Sequence, residues 1–456
     1  MKKNIENFGS KLGLLAATAG SAIGLGNVWR FPNEVQDHGG GAFLIVYVIS
    51  LLLLGIPTML AEFAIGRAGK SDCVGAFKNT RKGGYWWVCG LLGIVASYLI
   101  FSFYTVVAGW TLEYLWNAIT GSLFDGFSEE NSTAFFSAQM TEMTQTSYAP
   151  LYWSVVVLVI NLLVLLKGVQ KGIEVLSNWL MPLLFVLLII FCVTTLSMPG
   201  ASKGLDFFLM PDLSKFDINT VINALGQAFF SMSLGMGILV TYAAYFPDDT
   251  KLTQTAVKVS LLDLSVSIMM GLIIFPAMMN FGIECSDSNA SGTNLVFVTM
   301  PHIFTYMPMP RLWAVLFFAL LAIAAITSTI SLCEVAIAFV RDRMHFSRTK
   351  ACFVVIIPMI VLSAICSLSL GLVPSLQIAG KPVFDFFDYF TANIMLTISA
   401  FCICVYVGWV LPKNFLEEQL GNRGSHKASF VPALHFLIKY VCPLLILCLF
   451  VAKMME

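Results

Sequence analysis

The chain has 456 residues, 58% of them hydrophobic and only 11% charged, and its formal net charge is zero. Soluble domains carry about 25% charged residues, so the composition excludes an ordinary soluble enzyme, and the absence of a basic stripe excludes a nucleic-acid binder. The apolar runs are continuous rather than alternating, which excludes a β-barrel.

Runs long enough to span a bilayer are read at about 12–36, 42–66, 87–119, 150–167, 173–198, 218–246, 256–282, 311–341, 351–372, 384–411 and 432–453. A shorter apolar piece near 293–306, interrupted by Pro301, reads as an extracellular re-entrant segment. The expected fold is therefore an all-α polytopic membrane protein of about eleven spans, with residues 1–456 forming one transmembrane domain. Lys2 and Lys3 before the first run do not make it a signal peptide. That run carries Arg30, continues into Phe31-Pro32 and has no small-residue cleavage site.

Charge sets the orientation. Lys2, Lys3 and Lys11 precede or open span 1; Arg67, Lys70, Lys78, Arg81 and Lys82 follow span 2. Lys167 and Lys171 follow span 4, Lys251 and Lys258 span 6, Arg341, Arg343, Arg348 and Lys350 span 8, and Lys413, Arg423 and Lys427 span 10. The stretch 121–149 has no Lys or Arg but carries Asp125, Glu129, Glu130 and Glu142. The positive-inside rule places the N-terminus in the cytoplasm of an inner membrane, and an odd span count places the C-terminus outside. Of eleven cysteines only Cys285 falls in an outer loop, so no disulfide framework is expected. Cys402 and Cys404 point apart on a helix and read as core packing.

Two spans are broken near their middles by small residues: Ala19-Gly20-Ser21-Ala22-Ile23-Gly24-Leu25-Gly26-Asn27 in span 1, and Phe230-Ser231-Met232-Ser233-Leu234-Gly235-Met236-Gly237 in span 6. Either cluster alone fits close helix packing. Together, five spans apart, they are the pattern of an inverted-repeat transporter with a site at the bilayer midplane. The two repeats then cover about 11–198 and 218–411, with an additional helix at about 432–453. Unwound backbone in a membrane is tolerated where it lines a cavity.

The stretch Gly24-Leu25-Gly26-Asn27-Val28-Trp29-Arg30-Phe31-Pro32, then Gly39-Gly40-Gly41-Ala42-Phe43, strongly resembles the neurotransmitter:sodium symporter family, in particular its eleven-span, leucine-transporter-like bacterial amino-acid transporters. Gly226-Gln227-Ala228-Phe229-Phe230-Ser231-Met232-Ser233-Leu234-Gly235 and Ala324-Ala325-Ile326-Thr327-Ser328 extend the likeness through spans 1–10 and into span 11. The resemblance implies a 5+5 inverted-repeat core with unwound helices 1 and 6, and sodium-coupled symport of an amino acid by alternating access. It places one sodium at Ala22, Asn27, Ser231 and Asp263 with the substrate carboxylate, and a second at Gly20, Ile23, Ala324, Thr327 and Ser328. Oxygen ligands suit a hard cation, and Ala324, Thr327 and Ser328 share a helical face. Read without the family, Thr327 and Ser328 fit back-bonding to helix carbonyls better than an ion site.

By the same resemblance the substrate carboxylate meets the N–H groups of Leu25 and Gly26, where a half-helix begins, and the hydroxyl of Tyr104. Carbonyls near Phe230 and Ser231 meet the ammonium, and Phe230 is a lid. Ala22 belongs to the site as well, and Ile100, Ser233, Met236, Ser328 and Leu332 line the side-chain subsite. Met236 is adaptable and favours hydrophobic L-amino acids. Arg30 and Asp388 match an outer gate; Phe8, Lys11, Tyr245 and Asp342 match an inner one, although Ile5 stands where the family has Arg, so that Lys2 or Lys3 takes its place or the latch is weaker. Glu62 is expected to cap freed N–H groups of span 6, while Glu334 has no assignment. Gly172 and Pro182 form a Gly-x9-Pro pattern associated with unwinding of span 5, or a plain kink.

Chloride-dependent relatives carry Asn at the position of Asp263 and Ser at that of Ser267. Here Asp263 supplies a negative charge one turn from Ser267, so chloride is not expected to be required. The expected partners are a small amino acid, two sodium ions and the lipid bilayer. Another small zwitterion, or a cation channel, is the alternative. An enzyme is not expected, because His38, His302, His345, His426 and His435 lie outside the site and lack ligand spacing.

Overall fold

A computed structural model describes residues 6–128, 132–212, 214, 216–283, 292–422 and 429–455. Eight single helices are long and apolar enough to cross a membrane, and two bent pairs raise the number to ten. Expected span 6 makes eleven: it is two helices, Ile218–Ser231 and Ile238–Ala244, separated by six non-helical residues. Span 1 is likewise two pieces, Lys11–Ala22 and Gly26–Asp37, bent by 54°. The remaining spans are Gly41–Gly69 (2), Trp87–Thr120 (3), Val169–Leu196 (5), Leu252–Asn280 (7), Pro310–Arg343 (8), Arg348–Leu368 (9), Val383–Val410 (10) and Val431–Met455 (11). Span 4 is Ala149–Leu165.

Local chemistry explains the boundaries. Ser10 accepts the N–H of Gly13 and caps span 1, and Asp217 with Thr220 forms a reciprocal capping box at span 6. The N–H and hydroxyl of Thr220 hold the Asp217 carboxyl below its usual range. Gly121, at φ +96, ends span 3.

Spans 3 and 8, each one unbroken helix, pack extensively against each other. Burial covers 78% of the most apolar window of span 8 but only 28% of that of span 11, so span 8 is central and span 11 peripheral. Exposed Leu163, Trp179 and Val193 then face lipid rather than water.

Four features depart from the sequence reading. Pro301 does not interrupt the re-entrant segment: Leu295–Thr305 is one helix, opening with a wide π turn at Leu295–Thr299. That turn makes room for a proline ring that a regular turn would clash with. Span 5 is wound through the half that begins at Val169. Its departure from α geometry is a π turn at Val169–Glu174, and a Cβ at Gly172 would fall 2.1 Å from the carbonyl oxygen of Val164. Helices Cys73–Thr80, Ser132–Gln145 and Ala201–Leu209 occupy stretches read as loops. A two-residue hairpin, Gln377–Ile378 with Lys381–Pro382, turns at Ala379 and Gly380, both at positive φ.

Candidate functional site

The break in span 1 frees backbone groups between Ala22 and Gly26. Ile23 is extended at ψ 107°. The N–H of Gly24 donates to Asn27 Oδ1 at 3.1 Å, and that of Leu25 to the Tyr104 hydroxyl at 2.9 Å. Glycine is needed at 24 because a Cβ there would lie 2.7 Å from Ser328 Oγ and 2.8 Å from the Tyr104 hydroxyl oxygen. Gln227 Nε2 donates to the Gly26 carbonyl at 3.0 Å, tying span 6 to span 1.

The break in span 6 runs from Met232 to Gly237, with positive φ at Ser233, Gly235 and Gly237. Its freed groups find partners on neighbouring spans, as burial demands. Gly235 N–H donates to Glu62 Oε1 at 2.8 Å, the capping role expected of Glu62. The Gly235 carbonyl accepts from Ser399 Oγ at 2.8 Å, and the Met236 carbonyl from Ser97 Oγ. Ser233 Oγ donates to the Ser21 carbonyl at 2.9 Å and stitches the two breaks together.

Between the breaks lies a small cavity lined by Ala22, Gly26, Ile100, Tyr104, Phe230, Ser231, Ser233, Met236, Ser328 and Leu332, with Ser21, Gly24 and Ile238. Ten of the eleven expected substrate residues meet here. Leu25 faces instead the larger vestibule above, of about 640 Å³, which Gly26, Tyr104 and Phe230 also line. Phe230 thus forms part of the wall of both spaces.

One carboxylate sits beside the cavity. Asp263 is fully buried. It accepts from Asn27 Nδ2 at 2.7 Å, from Ser231 Oγ at 3.2 Å and from the Tyr47 hydroxyl at 3.2 Å. Asn27 Nδ2 also lies 2.9 Å from Ser267 Oγ. The structure therefore brings Asn27, Ser231 and Asp263 of the expected first sodium site together, with Ala22 on the adjoining cavity wall. Tyr47 was missed in the sequence, where it is one aromatic in an apolar run. At the expected second site, a Cβ on Gly20 would touch Thr327 Cβ at 3.4 Å, and Ser328 Oγ lies 3.4 Å from the Ile23 carbonyl oxygen. Thr327 Oγ1 does back-bond, to the carbonyls of Ile323 at 3.0 Å and Ala324 at 3.2 Å. A hydroxyl spends only its proton in such a bond and keeps lone pairs for a cation. Among the described residues no group of three His, Cys, Asp or Glu side chains could hold a metal ion; carbonyls, hydroxyls and one carboxylate are a donor set for a hard monovalent cation.

The family model described as the sodium:neurotransmitter symporter family matches residues 5–149 and 126–456. The chain belongs to this family. A sodium-dependent transporter of Bacillus subtilis, YhdH, is 32% identical over 97% of this chain and 96% of its own. A sodium-dependent transporter of Methanocaldococcus jannaschii is 34% identical over 92% of this chain and 85% of its own. The crystal structure of MhsT in complex with L-phenylalanine superposes with a TM-score of 0.88 at 36% identity, covering 98% of this chain and 99% of that one. The chain is accordingly a sodium-dependent transporter, multi-pass in a membrane.

In this symporter the vestibule is open. Arg30 and Asp388 both line it but make no ion pair with each other. Arg30 Nε lies 3.7 Å from Glu34, and its guanidinium stands 4.7 Å over the Phe230 ring. The opposite side is shut. Phe8 packs against Tyr242, Tyr245 and Phe246, and its N–H donates to the Tyr245 carbonyl at 3.1 Å. At the expected inner gate, Lys11 pairs with exposed Asp249 at 3.1 Å. Asp342 accepts from Ser71 Oγ and Asp72 N–H, both at 3.1 Å, and lies 3.4 Å from Arg341 Nε. Lys2, Lys3 and Ile5 lie outside the described residues.

The N-terminal segment of the symporter is held by acids. Glu6 meets Arg341 at 3.3 Å and Arg348 at 3.0 Å, and accepts the Val169 N–H at 2.9 Å. Arg348 also grips buried Glu334 at 2.8 Å, which in turn accepts from the Tyr245 hydroxyl at 2.8 Å. Glu334 thereby gains a role that the sequence left open. Glu174 accepts Gly9 N–H and Ser10 Oγ, each at 2.6 Å. Spans 1, 5, 8 and 9 are thus joined at one end by forked guanidinium donors. Glu6→Gln should loosen this end. Amide exchange across residues 6–15 is expected to rise about tenfold, after discounting for the solvent that reaches Glu6. Unchanged exchange in that segment would deny Glu6 a latching role.

Proposed function

We propose that this transporter imports a hydrophobic L-amino acid together with two sodium ions by alternating access, without need of chloride. The observation that carries this reading is the pairing of an apolar cavity, walled by Ile100, Met236, Ile238 and Leu332, with the buried carboxylate of Asp263, which accepts from cavity residue Ser231. The N–H groups of Leu25 and Gly26 and the Tyr104 hydroxyl receive the substrate carboxylate. Carbonyls beside Phe230 and Ser231 receive its ammonium. A charged substrate side chain would be desolvated against Met236 and Leu332 with no partner.

The first sodium is assigned to Ala22, Asn27, Ser231 and Asp263, and the second to Gly20, Ile23, Ala324, Thr327 and Ser328. Repeats at about 11–198 and 218–411 rock around this level. As the vestibule narrows, Arg30 leaves Glu34 for Asp388 above Phe230, while the Glu6 latch opens at the other face, which we place in the cytoplasm. Gly172 and Pro182 are the hinge at which span 5 unwinds to let sodium leave. The solved relative MhsT, bound to L-phenylalanine, supports the substrate class.

The test is uptake of labelled amino acids into proteoliposomes, preceded by a thermal-shift panel with and without sodium. A ligand at a hundred times its Kd stabilises by about 2.7 kcal/mol. Leucine, isoleucine, methionine or phenylalanine should raise the Tm, and only in sodium. Preferential binding and transport of glutamate or lysine would overturn the substrate assignment.

A further inference from the structure

On the side of the molecule where the chain begins, a second cleft of about 240 Å³ opens between the start of span 1 and the start of span 7. It shares no residue with the substrate cavity or the vestibule. Its charged walls are Lys11, Lys251 and Lys258 against one carboxylate, Asp249. That carboxylate is already engaged, by Lys11 at 3.1 Å. Among the described residues neither Lys251 nor Lys258 makes an ion pair.

The two free ammonium groups are seven residues apart. Lys251 is the extended residue just before span 7 and Lys258 lies about two turns into it, so both flank the same end of the helix and line the same cleft. Gln254 and Thr255 lie between them and Leu14 closes the floor. Lipid-facing apolar side chains continue from this level into the bilayer: Val257 and Leu261 on span 7 are 38% and 58% exposed. A basic cleft at headgroup height, with an apolar track leading away into hydrocarbon, has the chemistry of an anionic phospholipid site. A free phosphate would find the same lysines but no use for the track.

We infer that this cleft holds the phosphodiester headgroup of an anionic phospholipid between Lys251 and Lys258, with its acyl chains along Val257 and Leu261. Leu14 and Leu15 of span 1 line the same cleft, so the bound lipid touches the first half of span 1 as well as span 7. It therefore favours the conformation in which those elements stand at this spacing, the one with the vestibule open and the Glu6 latch closed.

The intact purified protein is titrated in detergent with phosphatidylglycerol or phosphatidylcholine and the bound lipid counted by native mass spectrometry. Phosphatidylglycerol should be retained and phosphatidylcholine not. The double variant Lys251→Gln, Lys258→Gln should bind phosphatidylglycerol about thirtyfold more weakly, and the pair Lys251→Arg, Lys258→Arg should keep it. Sodium-dependent thermal stabilisation, which these residues do not touch, should be unchanged and reports that the variants are folded. Equal retention of the two lipids, or full retention by the glutamine variant, overturns the site. Displacement of the lipid by excess inorganic phosphate would make it a free-anion site and overturns the lipid assignment.

Discussion

Asp263→Asn is expected to lose two to three orders of magnitude of amino-acid uptake in sodium gluconate and to recover part of it in sodium chloride, while the wild type is indifferent to the anion. The buried Asp263 carboxylate accepts from Asn27, Ser231 and Tyr47, so its charge is fixed where the first sodium is assigned. Two sodium ions and a neutral zwitterion bring two positive charges into a site that water does not screen. Opposite charges about 4 Å apart are worth roughly 4 kcal/mol at an effective dielectric of 20, and each 1.4 kcal/mol is about a factor of ten in affinity. The amide variant keeps the shape and removes the charge. It also leaves the Tyr47 hydroxyl and Ser231 Oγ without a carboxylate to serve, and those donors, with Ser267 Oγ beside Asn27, can then cradle a chloride. Strong chloride stimulation of the wild type would refute the idea, as would a variant that transports normally in gluconate.

The double variant Thr327→Ala, Ser328→Ala is expected to abolish sodium-coupled uptake. Thr327 stands against Gly20, and Ser328 against the Ile23 carbonyl, so both hydroxyls face the broken part of span 1. A hydrogen bond to a charged group is worth about 1.5–3 kcal/mol. If a hydroxyl ligand to sodium is worth a similar amount, losing two weakens the second ion by more than about a hundredfold. The back-bonds of Thr327 to Ile323 and Ala324 supply the competing explanation, in which the hydroxyls only hold span 8. Thr327→Ser separates the two: it keeps the oxygen and should keep uptake and its sodium dependence. Sodium-dependent uptake that survives in the double variant would remove the second site from these residues.

Much of this architecture is legible along the chain because its causes are local. Apolar runs report the spans, since hydrocarbon demands them residue by residue. The clusters around Gly24 and Gly235 report the breaks, since glycine and small residues are needed wherever backbone turns out of a helix or meets a neighbour closely; a Cβ at Gly24 would strike Ser328 and Tyr104. The neighbouring hydroxyls of Thr327 and Ser328 are likewise a local pattern. What escaped the sequence is what packing alone selects. Tyr47 reaches Asp263 across 216 residues, and in its own span it is one ring among many. The sequence offers Phe8, Lys11, Tyr245 and Asp342 for an inner gate but presents many charges at that face and no distances. Packing put Glu6 against Arg341 and Arg348, and Lys11 against Asp249. The wound state of span 5 and the open vestibule belong to the same class: a Gly-x9-Pro pattern permits a helix to unwind, but the contacts across spans decide which conformation stands. The chain by itself fixes where the backbone can break and which oxygens a hard cation can use. Which charges pair depends on separations of a few ångströms between distant segments, and those exist only once the helices have packed.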